Sequence, residues 1–141
     1  MSNVIFTSSA TAKNGREGHV KSADGLIDFD LVNPANGMNT ESKGSNPEQL
    51  FAAAYSACFD ATLNLAASKE NKEVDSETTA EISFCKDLED NGFKIAAKLY
   101  IKVKGVNQEE SEDLAKKAHQ GCPYSKATRG NIDVELHPEA V

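Results

Sequence analysis

The stretch 46-NPEQLFAAAYSACFDATLNLAA-67 decides the fold. Asn46 offers an N-cap side chain, Pro47 suits the first helical position, and Glu48 puts negative charge in the first turn. Gln49 stands where a capping box needs it. From Leu50 to Ala67 the pattern is apolar nearly all round. Leu50, Ala54, Cys58, Ala61 and Leu65 form one stripe, and Phe51, Tyr55, Phe59 and Leu63 run beside it. A helix of this kind must be buried on most sides. The chain has few other elements to cover it, and the alanines at 52, 53, 54, 57 and 61 allow close approach. An obligate dimer that packs two such helices together is therefore expected.

Working outward, Val4 to Leu31 shows short, partly alternating runs broken at Asn14-Gly15 and Asp24-Gly25, which predicts a small antiparallel meander. Asn33 to Asn46 carries Pro34, Gly37 and Gly44 among polar residues and reads as a crossover loop on the surface. Strands are predicted at about Thr78 to Lys86 and Lys94 to Val103, joined through Glu89-Asp90-Asn91-Gly92, with Ile82 and Phe84 on one face and Cys85 on the other. A second helix starts at Asn107 with a capping-box partner at Glu110 and stops at Gly121. A last strand spans about Ile132 to Leu136. The sum is an α+β arrangement, and 141 residues fit a single domain over 1–141 with its own core.

Composition narrows the partners. A formal charge of -7 with no cluster of Lys or Arg argues against nucleic acid and anionic membrane surfaces. The N-terminus lacks the basic start and apolar run of a secretory signal, and no segment approaches the roughly 18 apolar residues that suggest a membrane span. The protein is expected in the cytoplasm, where three cysteines are an odd count that argues against a structural disulfide framework.

Each cysteine can be read as a small buried residue or a reactive thiol. Cys58 lies beyond the first turn of its helix, so burial would raise its pKa unless a cation arrives from elsewhere. Arg16, in the Asn14 to Gly18 turn, is the candidate cation, and it can equally be a solvated turn residue. Cys122 follows a helix C-terminus, where the macrodipole disfavours a thiolate; that suits a second thiol or an inert loop cysteine. Pro123 restricts Cys122 to extended backbone. His119 and Cys122 stand three apart, but without a second ligand cluster they do not predict zinc, and no metal site is expected.

The run from Asn46 to Phe59, taken with Cys122-Pro123-Tyr124-Ser125-Lys126-Ala127-Thr128-Arg129-Gly130-Asn131-Ile132, closely resembles the organic hydroperoxide resistance proteins, within the superfamily that includes OsmC. Gly15-Arg16-Glu17-Gly18 and Ser22-Ala23-Asp24-Gly25-Leu26 also look like that family's N-terminal segments, so the resemblance covers nearly the whole chain. The Pro-Tyr-Ser and Ala-Thr-Arg-Gly-Asn portions favour the hydroperoxide branch. Departures fall at Ala54, Ser56 and Lys126 and in a less glycine-rich crossover loop.

The resemblance implies an OsmC-like fold of antiparallel strands and two main helices, the first at the centre of an intertwined homodimer. It implies that Cys58 attacks an organic hydroperoxide, that Cys122 resolves the sulfenic acid as a disulfide, and that Arg16, held by Glu48, activates the thiolate. Cys85 matches no functional position. No bound cofactor is implied; the reductant would be a dithiol on the lipoyl group of a transient protein partner. Phe51, Tyr55 and Phe59 suggest an apolar substrate pocket. Glu48 and Cys58 stand ten residues apart on one helix, roughly 15 Å along its axis, so an active site shared between two subunits is expected. The competing readings are an OsmC-like peroxidase of broader substrate range and a dimer that binds an apolar ligand without catalysis.

Overall fold

The computed structural model describes residues 3–36 and 43–141. Residues 37–42, with Gly37 and the middle of the expected crossover loop, lie outside the described residues. The chain divides into two compact units, Met1–Leu50 and Phe51–Val141, with the division inside the first helix.

In the first unit β1 (Ala10–Lys13), β2 (His19–Ser22) and β3 (Asp28–Asp30) form an antiparallel sheet in that order. The predicted meander is present but shorter, because Val4, Ile5 and Phe6 lie outside any strand and at least three-quarters exposed. Asn14 and Gly15 both adopt φ of 62°, a left-handed geometry these residues tolerate, and lead into a single 3-10 turn, Gly15–Glu17. A Cβ on Gly18 would run into the Lys13 carbonyl, so the return to β2 requires glycine there. Helix α1 (Pro47–Lys69) is capped as expected by Asn46, whose Oδ1 accepts from the Gln49 N–H at 2.7 Å. Only that half of the predicted capping box is seen, since Gln49 Oε1 accepts from the Ser45 hydroxyl at 2.8 Å.

In the second unit β4 (Asp75–Lys86) and β5 (Phe93–Lys104) form a long antiparallel hairpin. β6 (Val134–Ala140) then joins the other edge of β5 in parallel, which corrects the expectation of antiparallel strands throughout. The reason lies in the connection. Helices α2 (Gln108–Gly121) and α3 (Pro123–Thr128) form a crossover that carries the chain back before β6 begins. α2 makes its predicted capping box in full: Asn107 Oδ1 accepts from the Glu110 N–H at 2.8 Å, and Glu110 Oε1 accepts from the Asn107 N–H at 3.1 Å.

Alternate residues of β5, Ala97, Leu99, Ile101 and Val103, form one core with Tyr55, Phe59, Leu63 and Ala67 of α1 and Leu114, Ala115 and Ala118 of α2. Each large side chain in that cluster contributes about 1.5–3 kcal/mol. By length and composition α1 is able to cross a membrane, a property the sequence reading did not anticipate. Its polar side chains are used otherwise: Asp60 accepts from Thr78 Oγ1 at 2.8 Å, and Asn64 donates to Ser76 Oγ at 2.6 Å, both on β4. Burial within the chain covers the Tyr55 stripe, while Ala57, Ala61 and Leu65 on the opposite side are exposed.

Candidate active site

Arg16 stands in the 3-10 turn between β1 and β2, and Glu48 stands in the first turn of α1. They meet as a forked pair, Nη1 to Oε2 at 2.9 Å and Nη2 to Oε1 at 2.7 Å. This geometry fixes the guanidinium plane as well as its position. The Arg16 hydrogen bond holds the Glu48 carboxyl below its ordinary range, against the opposing effect of burial. The Glu48 side chain is 14% exposed and that of Arg16 38%.

Cys58 lies on α1 and Cys122 at the junction of α2 and α3. Their sulfurs stand 3.5 Å apart, with the Cys122 thiol directed at Cys58. A disulfide needs about 2.05 Å, so the two thiols are in contact and not bonded. Cys122 is fully buried and Cys58 partly so. Pro123 opens α3, and Cys122 takes the extended backbone expected before proline, φ -62° and ψ 125°. Cys122 therefore caps α3 as well as following α2, a junction that the reading of Gly121 as a simple stop did not foresee. Burial pushes the Cys58 thiol up from its ordinary value, the Cys122 sulfur adds to the shift, and a hydrogen bond from the Tyr124 backbone N–H offsets part of it.

Around this pair Phe51, Tyr55 and Tyr124 form an aromatic cluster with ring centroids 5.8–6.0 Å apart. A recess of about 670 Å³ has Thr62, Leu65, Ala66 and Pro123 in its wall together with the charged Lys69, Glu70 and Lys117. Among the described residues no group of three or more His, Cys, Asp or Glu side chains is arranged to hold a metal ion.

A family model of OsmC-like proteins matches residues 40–137. This chain belongs to the OsmC-like family. Relatives that it resembles include proteins named for organic hydroperoxide resistance. The chain is 48% identical over 132 residues to the protein OhrB of Bacillus subtilis, covering 94% of this chain and 96% of that one. It is also 48% identical over 137 residues to OhrA of the same organism, covering 96% and 97%. The crystal structure of B. subtilis OhrB superposes with a TM-score of 0.91 over 95% of this chain and 98% of that one.

In this OsmC-like chain each expected pair forms within one unit: Arg16 with Glu48 in the first, Cys58 with Cys122 in the second. Phe51 and Tyr55 stand in the aromatic cluster, and Tyr55, like Phe59, is fully buried in the core. Cys85, on β4, directs its thiol at the Ser83 carbonyl at 3.8 Å and belongs to neither pair. Sequence reading missed Tyr124 beside Cys58, and with it the buried hydroxyls of Ser125 and Thr128 and the ring of His119. The signal was present in the segment 122–128. Ser125 falls three residues after Cys122, and Thr128 three after Ser125, which is one helix face once α3 is recognised.

Proposed function

We propose that this chain reduces organic hydroperoxides through a thiol cycle between Cys58 and Cys122. The observation that supports it most is the 3.5 Å approach of the two sulfurs in an OsmC-like chain whose relatives are named for organic hydroperoxide resistance. The Cys58 thiolate attacks the terminal peroxide oxygen; the O–O bond breaks, the alkoxide takes a proton and leaves as alcohol, and Cys58 becomes a sulfenic acid. The Cys122 thiol then attacks that sulfur, its proton leaves with the displaced hydroxyl as water, and a disulfide forms. A dithiol returns both cysteines to thiols by exchange and is itself oxidised to a disulfide; a lipoyl group on a protein partner is the proposed donor.

Since burial disfavours the Cys58 thiolate, the mechanism needs a cation, and Arg16 held by Glu48 is the proposed source. The exposed Ala57, Ala61 and Leu65 face of α1 supports a homodimer in which Arg16 serves the partner's Cys58. The aromatic cluster favours alkyl over hydrogen peroxide.

The test is peroxide consumption with cumene hydroperoxide and hydrogen peroxide in parallel, driven by a dithiol and then by a monothiol. Cys58→Ser is expected to abolish turnover. Cys122→Ser is expected to consume about one equivalent and then stall or over-oxidise. Equal loss of the first turnover in both variants overturns the assignment of roles. Equal rates on both peroxides would fit the broader OsmC-like reading, and no consumption by the wild-type chain would fit ligand binding alone.

A further inference from the structure

A buried hydroxyl cluster beside the cysteine pair has no part in the cycle proposed above. Ser125, fully buried in the first turn of α3, meets Tyr55 OH at 2.8 Å and His119 Nδ1 at 2.9 Å. Tyr55, fully buried on α1, also meets Thr128 Oγ1 at 3.0 Å, and the Thr128 hydroxyl donates to the Ser125 carbonyl at 3.2 Å. The His119 carbonyl accepts from Arg129 Nη1 at 2.8 Å.

Counting hydrogens orients the chain. Thr128 uses its one hydroxyl hydrogen on the Ser125 carbonyl, so its oxygen accepts from Tyr55. Tyr55 has then used its hydrogen and accepts from Ser125, and Ser125 in turn accepts from a hydrogen on His119 Nδ1. All four contacts are made with each hydrogen used once, whereas the reverse direction leaves the Ser125 carbonyl contact unmade. His119 is thereby assigned the Nδ1–H tautomer. Burial, followed by the nearby Arg129, pushes its pKa down, in keeping with a neutral ring.

Two links consequently join α1 to the start of α3. Tyr55 and Cys58 are one turn apart on α1, and their partners Ser125 and Tyr124 are neighbours in the first turn of α3. The Tyr124 N–H is free to act because first-turn N–H groups have no partner inside their own helix. Holding Ser125 fixes where that N–H points. We propose that Tyr55, Ser125 and His119 are positioning residues that seat the first turn of α3 so that the Tyr124 backbone N–H bears on the Cys58 sulfur. The proposal rests on the reading of Cys58 as the attacking thiol. The three act through a fixed donor placed where negative charge must reside before attack.

The test follows alkylation of Cys58 by iodoacetamide against pH, located by mass spectrometry, in the full chain. Tyr55→Phe removes one oxygen and keeps the packed ring. Tyr55→Phe and Ser125→Ala are each expected to move the alkylation midpoint up by about one pH unit, with about a tenfold slower reaction at neutral pH. His119→Asn, whose amide N–H stands in for the Nδ1–H donor, is expected to shift the midpoint less than His119→Ala, an order that loss of packing alone would not produce. An unchanged midpoint in both Tyr55→Phe and Ser125→Ala overturns the proposal, as does a His119→Asn midpoint displaced as far as that of His119→Ala. Should Ser125→Ala fail to fold, Tyr55→Phe carries the test alone. The measurement uses no peroxide, so a wild-type chain inert towards hydroperoxides would overturn the proposed function and leave the alkylation result to be judged separately.

Discussion

Leu31 is the one apolar side chain buried in Met1–Leu50 among the described residues, whereas twelve buried residues form a continuous core in Phe51–Val141. In the first unit Val4, Ile5, Phe6 and Leu26 are at least 76% exposed, and Phe29 is 43% exposed. What shapes that unit is backbone geometry and charge: the left-handed Asn14 and Gly15, the tight passage at Gly18, and the Arg16–Glu48 fork. The second unit thus carries stability of its own, while the first presents a cation on a segment with little to bury. The proposed homodimer would cover these apolar side chains.

The largest effect should come from breaking the core. Leu99→Ala, at a fully buried position of β5, is expected to cost about 2–5 kcal/mol in denaturant unfolding at any protein concentration. Phe29→Ala in the first unit is expected to act on self-association instead, weakening the dimer about tenfold by analytical ultracentrifugation. A Phe29→Ala protein that loses stability as Leu99→Ala does, with unaltered association, would erase the contrast.

Next in size is the loss of the cation. Arg16→Ala is expected to slow peroxide attack about a hundredfold, the scale of losing one preorganised charge-stabilising group. Its folding stability should fall by no more than about 1 kcal/mol, since the pair is partly exposed. Mixing Cys58→Ser with Arg16→Ala subunits should give heterodimers that regain one working site while each parent homodimer stays weak. Absence of recovery after verified subunit exchange would count against sites shared between subunits, and an active monomer would eliminate them.

The same contrast explains what was legible in the sequence. Elements with local signals were readable: Asn46 and Asn107 cap α1 and α2, and Gly92, paired with the Asp90 side chain, closes the long hairpin. The residues of both pairs, Arg16 with Glu48 and Cys58 with Cys122, were named through motif resemblance, because no periodicity says that side chains 32 or 64 positions apart will meet. α3 escaped because six residues are too few for an amphipathic pattern, and Gly121 looked like an ending although the chain goes straight into a second helix. The parallel pairing of β6 escaped for a related reason. Strand direction depends on the crossover, which α3 completes. The hydroxyls of Ser125 and Thr128 are ordinary polar residues in sequence and acquire meaning only through burial against Tyr55.

The smallest effect separates two histidines, one in each unit. His19, on β2, faces carboxylates with both ring nitrogens, Asp30 at Nδ1 (2.8 Å) and Asp28 at Nε2, an arrangement that favours the protonated ring. The Asp30 hydrogen bond, followed by that to Asp28, raises its pKa. The folded state therefore binds the proton more tightly than the unfolded chain, so the contribution of His19 is complete below about pH 6.5 and is lost as pH rises through the higher folded value. His119 shifts the other way, first through burial and then through Arg129. Protonation there favours the unfolded chain, so its contribution is present above about pH 6.5 and is lost as pH falls through the lower folded value. NMR titration of the two imidazoles should place the His19 midpoint above that of a free histidine and the His119 midpoint below it. His19→Asn should remove the alkaline loss of stability and leave the acid side unchanged. Midpoints displaced in the same direction would show that the carboxylate pair and the buried hydroxyl cluster do not impose opposite environments on the two rings.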